Sequence, residues 1–118
     1  MKKRADAIGF ALSGIWWGFK TQPNYKIHTS LSILTVVAGI FLHVSYTEWL
    51  ILITMMCLGF VIETINTAIE QLGDAIDTAY NEHIKQAKDS AAGAMLLFAF
   101  GAVIVAGWIF IPKVIELF

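Results

Sequence analysis

From Ser90 to Pro112 the chain runs for 23 residues without a formal charge, and a segment of that length can satisfy its backbone in hydrocarbon only as a helix. Two more stretches behave alike. Residues 27–46 carry no Asp, Glu, Lys or Arg, and 49–62 are wholly uncharged. The 118 residues are 58% hydrophobic and 14% charged, with a mean hydropathy of +0.70, too little polar surface to cover a soluble domain. The expectation is a single all-α integral membrane domain over 1–118, with membrane-spanning helices near 27–45, 48–79 and 84–112. The middle run is short by itself, so Glu63 and Asn66 are expected within the hydrocarbon or at its edge.

Ahead of the first span, residues 5–20 read as an amphipathic surface helix. Trp16, Trp17 and Phe19 beside Lys20 suit an interface, where aromatic rings and cationic ends are both at home. Asp6 interrupts the apolar run and no A-x-A-like exit follows, which argues against a cleaved signal. Pro23 then disfavours helical geometry at Gln22 and sets a turn there. Cys57 is the lone cysteine, so no intrachain disulfide can form.

Basic residues set the orientation. Lys2, Lys3, Arg4, Lys20 and Lys26 precede the first span, Lys85 and Lys88 lie between the second and third, and only Lys113 falls on the other side. The excess places the N-terminus and the second connection in the cytoplasm.

The second span carries the chemistry. Glu63, Asn66, Thr67, Glu70, Asp74 and Asp77 fall within an arc of roughly 100° on one helix, with helical register expected through Asp77. Intramembrane carboxylates cost at least a few kcal/mol on insertion scales, so a stripe of them running from lipid to water implies chemistry at the membrane surface. Glu63 and Glu70 are about 10.5 Å apart along the axis, too far to share one metal ion. The spacing suits a division of labour: Glu70 holding magnesium on a nucleotide, and Glu63 accepting a proton from a lipid hydroxyl. Lys88 and Asp89, just before the third span, can then neutralise and position ATP phosphates. The rival class is a small oligomeric transporter using Glu63, which needs neither the Lys-Asp pair nor Glu70 and Asp74. The histidines His28, His43 and His83 read as interfacial or connecting groups, with no zinc spacing among them. No nucleic-acid partner is expected. Ala92, Ala99, Ala102 and Ala106 form a small-residue seam on the third span, and Gly14 and Gly18 fit the same pattern in the surface helix. Three helices shelter an acidic stripe poorly, which points to a homo-oligomer.

Glu63-Thr-Ile-Asn66-Thr67-Ala68-Ile-Glu70-Gln-Leu-Gly-Asp74 closely resembles the signature of the prokaryotic diacylglycerol kinase family, small trimeric membrane kinases. Ala87-Lys88-Asp89 followed by Ala91-Ala92-Gly93-Ala94 is similar to that family's second motif. The resemblance implies a homotrimer that phosphorylates a lipid hydroxyl with ATP and magnesium at the cytoplasmic face, in sites formed where protomers meet. Carried over by position, Glu63 is the general base and Asn66 orients it or the substrate. Glu70 and Asp74 hold the metal, while Asp74, Lys88 and Asp89 contact the nucleotide, and Ala92 lies against the lipid. Gln22 stands where members commonly have a glutamate that helps hold metal and nucleotide. The change removes one negative charge, for which Asp77 would have to compensate. An inactive homologue is the reading that this departure favours. The segment Asn24-Tyr25-Lys26-Ile27-His28 resembles the branch that favours undecaprenol over diacylglycerol, though both acceptors present a hydroxyl on a long apolar body.

Overall fold

The break that Pro23 imposes at Gln22 separates the first two helices of the computed structural model, which describes residues 2–118. Helix α1 (Lys2–Thr21) ends there. Gln22 is extended at φ −103°, ψ 117°, and α2 (Pro23–Phe41) begins with proline in its first turn, where the missing N–H would have no helical partner anyway. Helix α2 stops at Phe41, four residues short of the expected boundary, in a closed turn. The amide of His43 donates to the carbonyl of Ile40 (3.3 Å) and that of Val44 to Gly39 (3.1 Å), a pairing that satisfies orphan carbonyls at a helix end. It requires His43 to adopt φ 55°.

Helix α3 (Tyr46–Ile76) starts with a capping box. The Glu48 amide donates to Ser45 Oγ at 3.2 Å, and the Ser45 amide donates to Glu48 Oε1 at 2.8 Å, so two amides of the first turn are satisfied reciprocally. The helix ends three residues before the expected limit. Asp77 is extended (φ −159°, ψ 126°) and its Oδ1 accepts from the Ala79 amide at 2.9 Å. The acidic stripe therefore does not keep helical register to Asp77, whose carboxylate is engaged in a local turn that competes with the helix. Asn81 Oδ1 accepts from the amides of His83 (3.0 Å) and Ile84 (3.2 Å), starting α4 (Glu82–Leu117), which continues through Pro112.

Helix α3 is the hub: α1, α2 and α4 all pack on it, while α1 also touches α2. At the Tyr46 end, Val44, Leu52 and Ile109 are buried with Trp49, Val105 and Phe110 against them, and Lys113 Nζ lies 2.9 Å from Glu48 Oε1. Towards the other end, Phe19, Tyr25 and Phe60 form an aromatic group with centroids 5.0–6.1 Å apart. The Tyr25 hydroxyl bonds to that of Thr64. Of the expected glycine pair, Gly18 receives the Tyr25 ring and Gly14 faces open space.

The molecule measures 55 × 41 × 21 Å, so it is only about two helix diameters thick. Helices α3 and α4, of 31 and 36 residues, are long and apolar enough to cross a membrane, at roughly 46 and 54 Å. Helix α2 is 19 residues long, roughly 28 Å. With Asn24, Lys26 and His28 in its first turns, it is less apolar than the other two. The third expected span is thus present as a helix but does not by itself read as a crossing.

Candidate active site

Glu63 sits near the middle of α3 with its side chain 2% exposed, although no cation forms a close pair with it. Its Oε2, together with Asn66 Oδ1 and Thr67 Oγ1, is buried without a hydrogen-bond partner. Three unpaired polar atoms within about one helical turn are unusual, because each such group costs about 1–3 kcal/mol. This is capacity that a ligand's polar atoms would meet.

The same face of α3 continues to Glu70 and Asp74. Lys88 of α4 joins them, its Nζ 2.6 Å from Asp74 Oδ1 and 3.5 Å from Glu70 Oε2. Gly73 makes that approach possible: a Cβ there would stand 3.0 Å from Lys88 Cε and 3.0 Å from Ile84 Cγ2. The glycine therefore serves close packing. Asn66, Ile69, Gly73, Ile84, Lys88 and Ala91 line a largely apolar groove of about 620 Å³ between α3 and α4.

Two carboxylates one turn apart, already converging on a cation, are a donor set that suits a hard divalent ion sharing its remaining positions with phosphates and water. Among the described residues no three His, Cys, Asp or Glu side chains converge. Further ligands must come from the nucleotide, from solvent or from another copy of the chain.

Other expected residues lie apart from this cluster. Asp89 faces Lys85, with Oδ2 2.5 Å from its Nζ, because one residue of helix turns it about 100° away from Lys88. Ala92 is exposed, and its neighbours Ala91 and Ala94 line the groove in its place. Gln22 Nε2 reaches only Thr21 Oγ1, at 3.4 Å.

His28 has a neighbour that sequence reasoning did not assign. Its Nε2 lies 3.9 Å from Glu63 Oε2, and its side chain is 17% exposed. A signal was available: Tyr25, His28, Ser32 and Thr35 occupy an arc of roughly 80° on α2, a polar stripe that must turn inward if the helix meets lipid on its other side. His28, Ser32 and Thr35 line a second cavity of about 260 Å³, enclosed by α2, α3 and α4.

The buried Glu63 carboxylate, with its unmet Oε2, thus lies two turns from a Lys-bridged carboxylate pair on the same helix. The model of the prokaryotic diacylglycerol kinase family matches residues 9–110. The chain belongs to the prokaryotic diacylglycerol kinase family. A Synechocystis sp. diacylglycerol kinase is 38% identical over 109 residues, covering 92% of this chain and 62% of the relative, so the chain spans less than two thirds of that protein. A Bacillus subtilis undecaprenol kinase is 35% identical over 100 residues, covering 85% of this chain and 81% of the relative. An Escherichia coli diacylglycerol kinase is 29% identical over 98 residues, 83% of this chain and 80% of its own. As a member of this lipid kinase family, the chain is similar to enzymes named for both acceptors.

Proposed function

We propose that this chain is an ATP-dependent lipid kinase that phosphorylates the hydroxyl of undecaprenol at the cytoplasmic face of a bacterial inner membrane, acting as a homotrimer with its N-terminus in the cytoplasm. The observation that carries the reading is the pairing of two unlike sites along one face of α3: the buried, unpaired Glu63 Oε2 and Asn66 Oδ1, and the more open Glu70 and Asp74 joined by Lys88 of α4. The first suits a hydroxyl held in lipid and the second a triphosphate arriving from water. Helix α2 is read as the third span, its polar first turns lying at the inner interface and the remainder in hydrocarbon.

In this mechanism Glu63 takes the acceptor's proton as the alcohol oxygen attacks the γ-phosphorus and ADP departs. Asn66, which lines the groove one turn from Glu63, orients the hydroxyl. Glu70 and Asp74 would hold magnesium, which when bound offsets charge on the phosphates. Lys88 is released from Asp74 to meet the phosphate oxygens, a role that positioning and charge stabilisation give to lysine in phosphoryl transfer. Asp89 reaches the nucleotide only when its pair with Lys85 opens, and Gln22 contributes a neutral oxygen at most. Ala92 and the groove next to it accept part of the lipid body.

Diacylglycerol is the second acceptor, favoured by the 38% identity to the Synechocystis enzyme; the Asn24–His28 segment favours undecaprenol. Competition settles the choice. With both alcohols at equal mole fraction in mixed micelles, the reading predicts label from ATP mainly in undecaprenyl phosphate, and label mainly in phosphatidic acid would reverse the assignment. The base is tested separately: Glu63→Gln should lower turnover by about 10²–10⁴-fold with nucleotide binding retained. Near-normal turnover would exclude Glu63 from that role.

A further inference from the structure

The His28–Glu63 approach is not explained by packing alone. The imidazole packs against the rings of Phe60 and Phe98, with centroids at 5.8 and 6.4 Å and planes tilted by 51°. Gly59 leaves it room: a Cβ at that position would stand 3.2 Å from His28 Nδ1 and 3.1 Å from Phe98 Cε1. The ring is therefore held with Nε2 turned to the one carboxylate oxygen, Oε2, that is buried and unpaired.

Nothing else competes for that oxygen. From α2, Tyr25 gives its hydroxyl to Thr64; from α4, Lys88 is committed to Asp74 and Glu70; from α1, Lys20 lies over Trp16 at 5.7 Å. Among the described residues His28 is the lone cationic or imidazole group within 4.0 Å of Glu63. The gap of 3.9 Å is longer than a hydrogen bond, and such contacts commonly shorten when substrate completes a site.

Resting on the kinase reading above, we propose that His28 is the positioning residue for Glu63: its Nε2–H donates to Oε2 and turns the other carboxylate oxygen to the acceptor hydroxyl. In the transfer step the acceptor's proton passes to that second oxygen of Glu63, the alcohol oxygen bonds to the γ-phosphorus, and the bond to ADP breaks. His28 keeps its proton throughout. It touches neither acceptor nor nucleotide, so its effect belongs to kcat and not to the KM for ATP.

The geometry makes a distinction that a space-filling role would not. The amide nitrogen of glutamine can reach the place of Nε2, whereas that of asparagine reaches only the place of Nδ1. His28→Gln should keep kcat within about 3-fold, while His28→Asn and His28→Leu lose about 30-fold or more, all with an unchanged KM for ATP. Thermal midpoints of the detergent-solubilised full chain, measured alongside, report any loss of fold. Equal losses in Gln and Asn variants that retain the wild-type midpoint would overturn the proposal, as would a His28→Leu variant with wild-type kcat, or a loss confined to KM. If His28→Asn and His28→Leu melt early, the Gln variant decides by itself: a well-folded His28→Gln protein that has lost 30-fold refutes the role. Failure of the underlying reading looks different, since the wild-type chain would then label no lipid alcohol at all.

Discussion

At the scale of single residues, Lys88 shows how little the charge cluster owes to stability. Its partners Glu70 and Asp74 have side chains 42% and 53% exposed, and ion pairs this open to solvent are worth about 0–1 kcal/mol. A lysine drawn over a glycine to reach two carboxylates fits the nucleotide contact proposed above. Lys88→Met should therefore shift the unfolding midpoint hardly at all while raising the KM for ATP about 10-fold or more; a large stability loss with unchanged KM would show the cluster to be structural. Gln22 makes the complementary case. Its side chain is uncharged and, among the described residues, meets only Thr21, so Gln22→Glu should move the magnesium requirement to lower concentration. A superimposable magnesium titration would show that position 22 holds no metal.

At the scale of elements, the ends of the helices were harder to read than their existence. Apolar runs and charge gaps gave four helices in the right order, because nothing else of that length satisfies its backbone in lipid. Their limits depend on local exchanges of hydrogen bonds. Asp77 continues the helical periodicity of the acidic face, yet its carboxylate serves the Ala79 amide and the helix stops before it. His43 closes α2 in the left-handed region, a place normally taken by glycine, which no periodicity reveals. His43→Gly should stabilise the α2–α3 hairpin by up to about 1 kcal/mol, read as a higher thermal midpoint; a lower midpoint would show that the imidazole itself is needed. The site was legible where it lies along one helix, as Glu63, Asn66, Glu70 and Asp74 do, and illegible where it joins two. The spacing of residues on α3 could not reveal that His28 faces Glu63 or that Gly73 admits Lys88. Gly73→Val is the matching test between elements: a branched side chain at a position already 3.0 Å from Lys88 Cε must displace the lysine, so ATP affinity should fall with the fold retained. Unchanged affinity would mean that Lys88 works from another position.

At the scale of the whole molecule, a slab 21 Å thick leaves much apolar surface without a partner in the chain. Leu96, Leu97, Phe100, Val103 and Trp108 of α4 are between 69% and 83% exposed, acceptable in lipid or against further copies but not in water. On the function proposed, that surface, the membrane-length helices α3 and α4, and the acidic face of α3 belong together: the fold would bring a site for a water-borne triphosphate beside one for an alcohol that never leaves the bilayer. The most direct measurement is transfer itself. The full chain, reconstituted in bilayers containing undecaprenol and supplied with γ-labelled ATP and magnesium, is expected to place label on the lipid. ATP consumed without labelled lipid, or no label entering any lipid alcohol offered, would contradict the account.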